Sequence, residues 1–149
     1  MRKSVLEKVV IYVTRGDEIL VFGHTHYSEA GIQVPAGTVR LGEDLVDAAI
    51  REVNEETGLD VDDLELRAKL GVDVFPSGDT DVSPSVRRHF FHLEFVGDSP
   101  QKWIHYERDP SDGTPGPIEF ELKWVKNPDE IPVLAGNQGA MLSKLNIAR

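Results

Sequence analysis

Glu52, Glu55 and Glu56 stand at i, i+3 and i+4 in the run Arg51-Glu52-Val53-Asn54-Glu55-Glu56-Thr57-Gly58-Leu59. On a helix these spacings make the three carboxylates neighbours on one face. Like charges placed so close repel one another. Such a face is either simply solvated or is used to hold a hard divalent cation through oxygen ligands. A cation held there would make Lewis-acid and water-activating chemistry available.

The flanking residues supply the helix that this chemistry needs. Asp44 is placed to cap its N-terminus, Asp47 puts negative charge in the first turn, and Gly58 sits where a left-handed C-terminal stop belongs. Val46, Ile50, Val53 and Thr57 form a stripe expected to pack, leaving the carboxylate face free. Asp47, Arg51 and Glu55 make a ladder of i, i+4 steps expected to fix the Arg51 side chain. Ala48 and Ala49 are small enough for the loop from Gly37 to Gly42 to fold back over the helix.

Read from Gly37 to Leu59, the chain resembles the Nudix box. The pattern is Gly, five residues, Glu, seven residues, then Arg-Glu-aliphatic-any-Glu-Glu-any-Gly-aliphatic. Gly37, Glu43, Arg51, Glu52, Val53, Glu55, Glu56, Gly58 and Leu59 fill every defined position. The resemblance implies a Nudix-type α/β/α sandwich with a mixed β-sheet. It also implies hydrolysis of a nucleoside diphosphate linked to another moiety, by water attack on phosphorus. Glu52, Glu55 and Glu56, with the main-chain carbonyl of Gly37, would hold Mg2+ or Mn2+, while Arg51 and Glu43 orient and support. The partner is then a small-molecule, nucleotide-like diphosphate. Members of this family commonly add an acid from outside the box. Glu119 and Glu121 are the leading candidates for it, with Glu94 and Glu107 behind them. Family members are frequently homodimers, and nothing in this sequence identifies an interface.

The 149 residues suit a single domain, residues 1–149, with a sizeable core. Absence of cysteine excludes disulfides, thiolate catalysis and cysteine-ligated zinc, and fits a reducing, cytoplasmic setting. No segment has the length and apolarity of a membrane span. A net charge of −10 argues against a general nucleic-acid binder. An anionic substrate would therefore depend on metal and on a few local Lys or Arg residues.

Val5 to Thr14 and Glu18 to Phe22 read as strands around a turn at Arg15-Gly16-Asp17, and Gly31 to Pro35 as a short extended lead into the box. Leu64 to Phe75, Val86 to Val96 and Glu119 to Val125 read as further strands. Ala135 to Ile147 has helical spacing. Asp98 to Pro117 is rich in Pro, Gly and Asp and reads as a long functional loop, with Trp103 and Tyr106 placed to stack on a ligand. Pro76 to Pro84 reads as a plain connection. On the strand after it, Arg88 is a candidate for a substrate phosphate. His24 and His26 could imitate a metal pair, but nothing completes a site.

The leading expectation is thus a metal-dependent pyrophosphohydrolase. The alternative is a nucleotide-binding sensor or interaction module on the same fold, although such proteins tend to lose box glutamates. An isomerase on this fold would want a catalytic cysteine, which is absent.

Overall fold

β1 (Val5–Arg15) and β2 (Glu18–His24) form a hairpin across Gly16, whose φ of 61° suits the tight turn. Their ladder closes only at Thr14↔Ile19 and Arg15↔Glu18. Beyond those pairs the two strands diverge, and the lead into the box fills the gap. Phe22 and Gln33 exchange backbone bonds of 2.9 and 2.8 Å, and Ile11 N donates to Pro35 O at 2.9 Å. Then β3 (Ala36–Thr38) pairs antiparallel with the start of β1, at Lys8↔Thr38, Val9↔Gly37 and Val10↔Ala36. The sheet is therefore split at its middle, and the box loop starts inside the split. The computed structural model describes residues 5–75, 85–108 and 117–145. The connection 76–84, residues 109–116 of the expected long loop, and Ile147 lie outside the described residues.

The remaining strands are β4 (Leu64–Phe75), β5 (Ser85–Phe95), β6 (Lys102–Glu107) and β7 (Ile118–Lys126). The sheet runs β4-β5-β1-β2-β7-β6, with β3 against β1. β1 and β5 are parallel and the other pairs antiparallel, so the sheet is mixed. Strand alternation sends apolar side chains to two separate cores. Val9, Ile11, Leu20, Phe22 and Trp124 pack under the helix α1 (Leu45–Thr57). Val10, Tyr12, Ile19, Val21 and Phe90 pack on the other face, against Leu134, Met141 and Leu142 of the C-terminal segment. The fold is mixed α/β with helical segments on both faces of the sheet. No helix among the described residues is long and apolar enough to cross a membrane.

Two expectations change here. The segment read as helical near the C-terminus forms 3-10 turns over Ala135–Lys144, because Gly136 (φ 60°) and Asn137 (φ 55°) are left-handed and break a regular helix. And Asp98 to Pro117 is not all loop, since β6 lies within it as an edge strand pairing with β7. The alternation of β6 accounts for its aromatics: Trp103, His105 and Glu107 face α1, while Ile104 and Tyr106 face away.

The C-terminal segment is tied down by buried polar groups. The Tyr12 hydroxyl donates to Gln138 O at 2.6 Å and accepts from Met141 N at 3.1 Å. Arg88 makes a two-pronged pair with Asp73 at 2.8 Å in each arm and donates to Gly136 O at 2.8 Å and Asn137 O at 3.2 Å. Burial pushes the Tyr12 phenol from 10.0 up to about 12. An acid whose pKa is higher folded than unfolded contributes its stability in full below the unfolded value. It then loses it as pH rises through the folded one. The stability of the protein is therefore expected to fall between pH 10 and 12 by roughly 3 kcal/mol on account of this group. Denaturant melts across that range check it: Tyr12→Phe should start from lower stability and show a shallower alkaline slope. An unchanged slope would mean the phenol does not titrate with unfolding.

Candidate active site

The helix that carries the acids begins and ends where the residues dictate. Asp44 accepts from Val46 N and Asp47 N at 3.0 and 3.3 Å, satisfying two orphan donors of the first turn. Gly58 closes it at φ 79°, and Asn54 Nδ2 reaches Leu59 O at 2.9 Å. The buried face is turned from the one the sequence suggested. Ala48, Ala49, Glu52, Val53 and Thr57 are buried, whereas Val46 and Ile50 are only partly so. The carboxylate face is thus not free. Glu52 is wholly buried at 0 % exposure.

Two side chains of β6 dock on the end of this helix. Trp103 Nε1 donates to Thr57 O at 2.8 Å and His105 Nε2 to Glu55 O at 2.9 Å. Carbonyls of a last helical turn lack intrahelical partners, so these bonds fix α1 against the edge strand. The Trp103 indole N–H is thus engaged with the helix, while Trp103, expected to stack on a ligand, is also among the walls of a hollow of about 560 Å3. Tyr106 lies on the opposite face, its hydroxyl hydrogen-bonded to Glu119.

The same docking brings Glu107 to the box. Oxygens of Glu52, Glu55 and Glu107 lie within 4.8 Å of one another, and this is the three-acid group found among the described residues. Glu107 is 4 % exposed. Arg51 brings one positive charge to this group through Glu52 and Glu55, and a cation bound there would offset the remaining repulsion. An all-oxygen, all-anionic donor set suits a hard ion such as Mg2+ or Mn2+. Glu56 borders the group: its Oε1 accepts from Ala36 N at 2.8 Å, tying the helix to the box loop. Burial, and then the charges of Glu52 and Glu107, push the Glu56 carboxyl well above the usual range.

Arg51 holds the arrangement together. It grips Glu43 with two bonds of 2.8 and 2.9 Å. Its other donors reach Glu52 at 2.7 Å, Glu55 at 3.2 Å and Thr38 O at 3.1 Å. Asp47, the expected lower rung of the ladder, is exposed, and Glu43 from the loop takes that place. The Arg51 hydrogen bonds hold the Glu43 carboxyl down to about 2, against an opposing desolvation. The Arg51 guanidinium is pushed up in turn, chiefly by Glu43. Gly37 belongs to the same knot. A Cβ at that position would run into the Glu52 carboxylate, so the loop passes this close only as glycine.

The structure does not bring the other candidates to this group. Glu119 and Glu121 alternate with Ile118 and Phe120 on β7 and point away from α1; the Glu119 side chain bonds Tyr106 and His26, and Glu121 is exposed. Glu94 is held by Arg67 at 2.6 Å. Arg88 faces the second core, bound to Asp73 as described. His24 packs edge-on against Phe120 and His26 lies 3.4 Å from Glu119, so they form no metal pair. Glu107 stood only among the weaker candidates in the sequence, because reading its segment as loop hid the strand alternation that turns it to α1.

Beside the acids opens a cavity of about 180 Å3 in the split of the sheet, lined by Gly37, Glu56, Glu107, Lys8, His24 and Gln138. A separate hollow of about 560 Å3 has Ile32, Lys102, Ile104, Glu121 and Lys123 among its walls.

The sequence pattern of the NUDIX domain matches residues 6–138. Among solved structures, the chain is similar to a MutT NUDIX hydrolase from Burkholderia pseudomallei, with 19 % identity and a TM-score of 0.65 over 97 % of this chain and 100 % of that one. It is similar to an Ap4A hydrolase from C. elegans, with 17 % identity and a TM-score of 0.63 over 93 % of each chain. A UDP-X diphosphatase shares 14 % identity at a TM-score of 0.66; the match covers 97 % of this chain and 62 % of that one. At such identities these likenesses show the fold. No curated protein sequence matches the chain.

Proposed function

The chain belongs to the NUDIX domain family, and from that premise we propose that it is a divalent-metal-dependent pyrophosphohydrolase. Its substrate on this reading is a nucleoside triphosphate or another small nucleoside diphosphate derivative. The observation that carries the reading is the meeting of Glu52 and Glu55 of the box helix with Glu107 of β6, within 4.8 Å. The solved structures it resembles include a hydrolase of Ap4A and a diphosphatase of UDP-X, which agrees with a dinucleotide, triphosphate or nucleotide-linked substrate without choosing among them.

Glu52, Glu55 and Glu107 would hold the cation, with the Gly37 carbonyl as a further ligand; Mg2+ or Mn2+ fits the donors. When bound, it supplies Lewis-acid polarisation of the phosphoryl oxygens and a water of lowered pKa. The chain's own residues do the rest. Arg51 keeps Glu52 and Glu55 in one orientation and ties them to the loop through Glu43 and Thr38 O. Glu56 fixes Ala36, and with it the start of the loop. The cavity of about 180 Å3 in the sheet split, bordered by Glu56 and Glu107, would take the diphosphate on this reading. Water oxygen attacks one phosphorus, the bridging P–O bond breaks, and the departing phosphate keeps the electron pair.

The test is release of phosphate or pyrophosphate from a panel of nucleotides and nucleotide sugars with Mg2+. Glu107→Gln, Glu119→Gln and Glu121→Gln are assayed beside the unaltered protein. Glu107→Gln is expected to lower turnover roughly a hundredfold or more, with the other two close to normal, since losing a ligand forfeits several kcal/mol of charge stabilisation. Equal, normal rates in all three would remove Glu107 from the site. Saturable nucleotide binding with no release from any panel member would favour the non-catalytic sensor.

A further inference from the structure

The slot bordered by Glu56 and Glu107 is also lined by Lys8, His24, Gln33, Phe120 and Gln138. Gln138 reaches it from the 3-10 segment, and its orientation is forced. Val34 N donates to its side-chain oxygen at 2.8 Å, so Oε1 must be the arm turned to the backbone and Nε2 the other. Among the described residues nothing takes Nε2. The segment around it is clamped by the Tyr12 hydroxyl on Gln138 O and by Arg88 on the two preceding carbonyls, so the amide is held before any ligand arrives. Lys8, at the start of β1, lines the same cavity, as do Glu56 and Glu107. Lys8 and the free arm of Gln138 can donate and cannot accept. Two such donors in the cavity that Glu56 and Glu107 border suit a ligand rich in acceptor oxygens that bears negative charge.

The geometry points to Lys8 and Gln138 as the residues that hold the nonbridging oxygens of the substrate phosphate lying farther from the carboxylates. This rests on the pyrophosphohydrolase reading and deepens it. Glu52, Glu55 and Glu107 would hold the cation that serves one phosphate, and Lys8 and Gln138 would donate directly to the next. A cavity of about 180 Å3 is of a size for the diphosphate and leaves the nucleoside outside it. Selection at this position is therefore for a chain of phosphates and not for a base.

Binding of imidodiphosphate, a P–N–P diphosphate that resists hydrolysis, tests this by titration calorimetry in Mg2+. Gln138→Glu is the decisive variant. It keeps the acceptor for Val34 N and reverses the polarity of the free arm. It is expected to weaken imidodiphosphate roughly 10- to 100-fold, the range for losing a hydrogen bond to a charged group. Lys8→Met should weaken it roughly tenfold. Mg2+ alone should bind both variants as tightly as before or tighter, and their thermal midpoints should be unchanged. Imidodiphosphate binding at full strength by Gln138→Glu and Lys8→Met would overturn the assignment. Hydrolysis of the nucleotide panel by the unaltered protein, followed in parallel, separates the two readings. Turnover with undiminished binding by the variants sinks this inference alone, whereas neither turnover nor imidodiphosphate binding in the unaltered protein sinks both.

Discussion

Glu55→Gln is expected to reduce metal-dependent turnover on the order of a thousandfold while leaving the fold intact. Glu55 offers a carboxylate oxygen to the group it forms with Glu52 and Glu107, and Gln cannot supply that anionic ligand. Each factor of ten corresponds to about 1.4 kcal/mol, so a loss of about 4 kcal/mol of charge stabilisation accounts for the effect. The folded state has little to lose. Glu55 is partly exposed, and its side chain answers Arg51 at 3.2 Å and Arg40 at 3.4 Å, both of which retain an amide oxygen as acceptor. Without metal the variant should melt no lower than the unaltered protein, because one charge has left a crowded set of carboxylates. Initial rates in Mg2+ and melts in a chelator measure both halves. Near-normal turnover would show that Glu55 is not a ligand.

Gly37→Ala is expected to act through volume. Its methyl would occupy the place of the Glu52 carboxylate, and Glu52 is wholly buried and held by Arg51 at 2.7 Å. β3 cannot retreat without breaking its pairing at Val9↔Gly37. Overpacking a well-packed interior costs about 1 to 3 kcal/mol, and a site with no direction of relief belongs at the upper end or beyond it. The expected outcome is a melt lowered by several degrees and Mg2+ binding reduced at least tenfold. Ala36→Gly is the control. Ala36 packs into the second core away from Glu52, and losing its methyl should cost about 1 kcal/mol and leave Mg2+ binding as it was. Equal Mg2+ affinity in Gly37→Ala would mean that Glu52 moves freely or is not a ligand.

The sequence revealed the box helix almost to the residue, because its caps are local. Asp44 and Gly58 act on backbone within a turn of themselves, and nothing distant overrides them. The hairpin at Gly16 and the long strands were legible for the same reason. What could not be read was set by contacts far apart in the chain. The carboxylate face of the helix read as free, and only the approach of Gly37 and of Glu107 from β6, some fifty residues on, accounts for the burial of Glu52. The choice of Glu43 over Asp47 as partner of Arg51 depends on how the Gly37–Gly42 loop folds back, which i, i+4 spacing does not encode. Glu119 and Glu121 looked suitable because strand alternation sets them apart from Phe120 and Leu122. Alternation says that two faces differ, but not which of them meets the helix. The same ambiguity placed Arg88 near a phosphate, when its face of β5 meets Asp73 and the C-terminal turns.

The edge position of β6 also sets an order in time. Among the described residues its one partner in the sheet is β7, which follows it in the chain, and β7 joins the rest by pairing with β2. Glu107 can therefore reach Glu52 and Glu55 only once the last strand has been synthesised and has closed the ladder. During synthesis, a nascent chain that has already formed α1 and the hairpin still holds two acids of the three. The cluster completes itself late in assembly, so on the proposed reading strong cation binding would mark a chain that has finished folding.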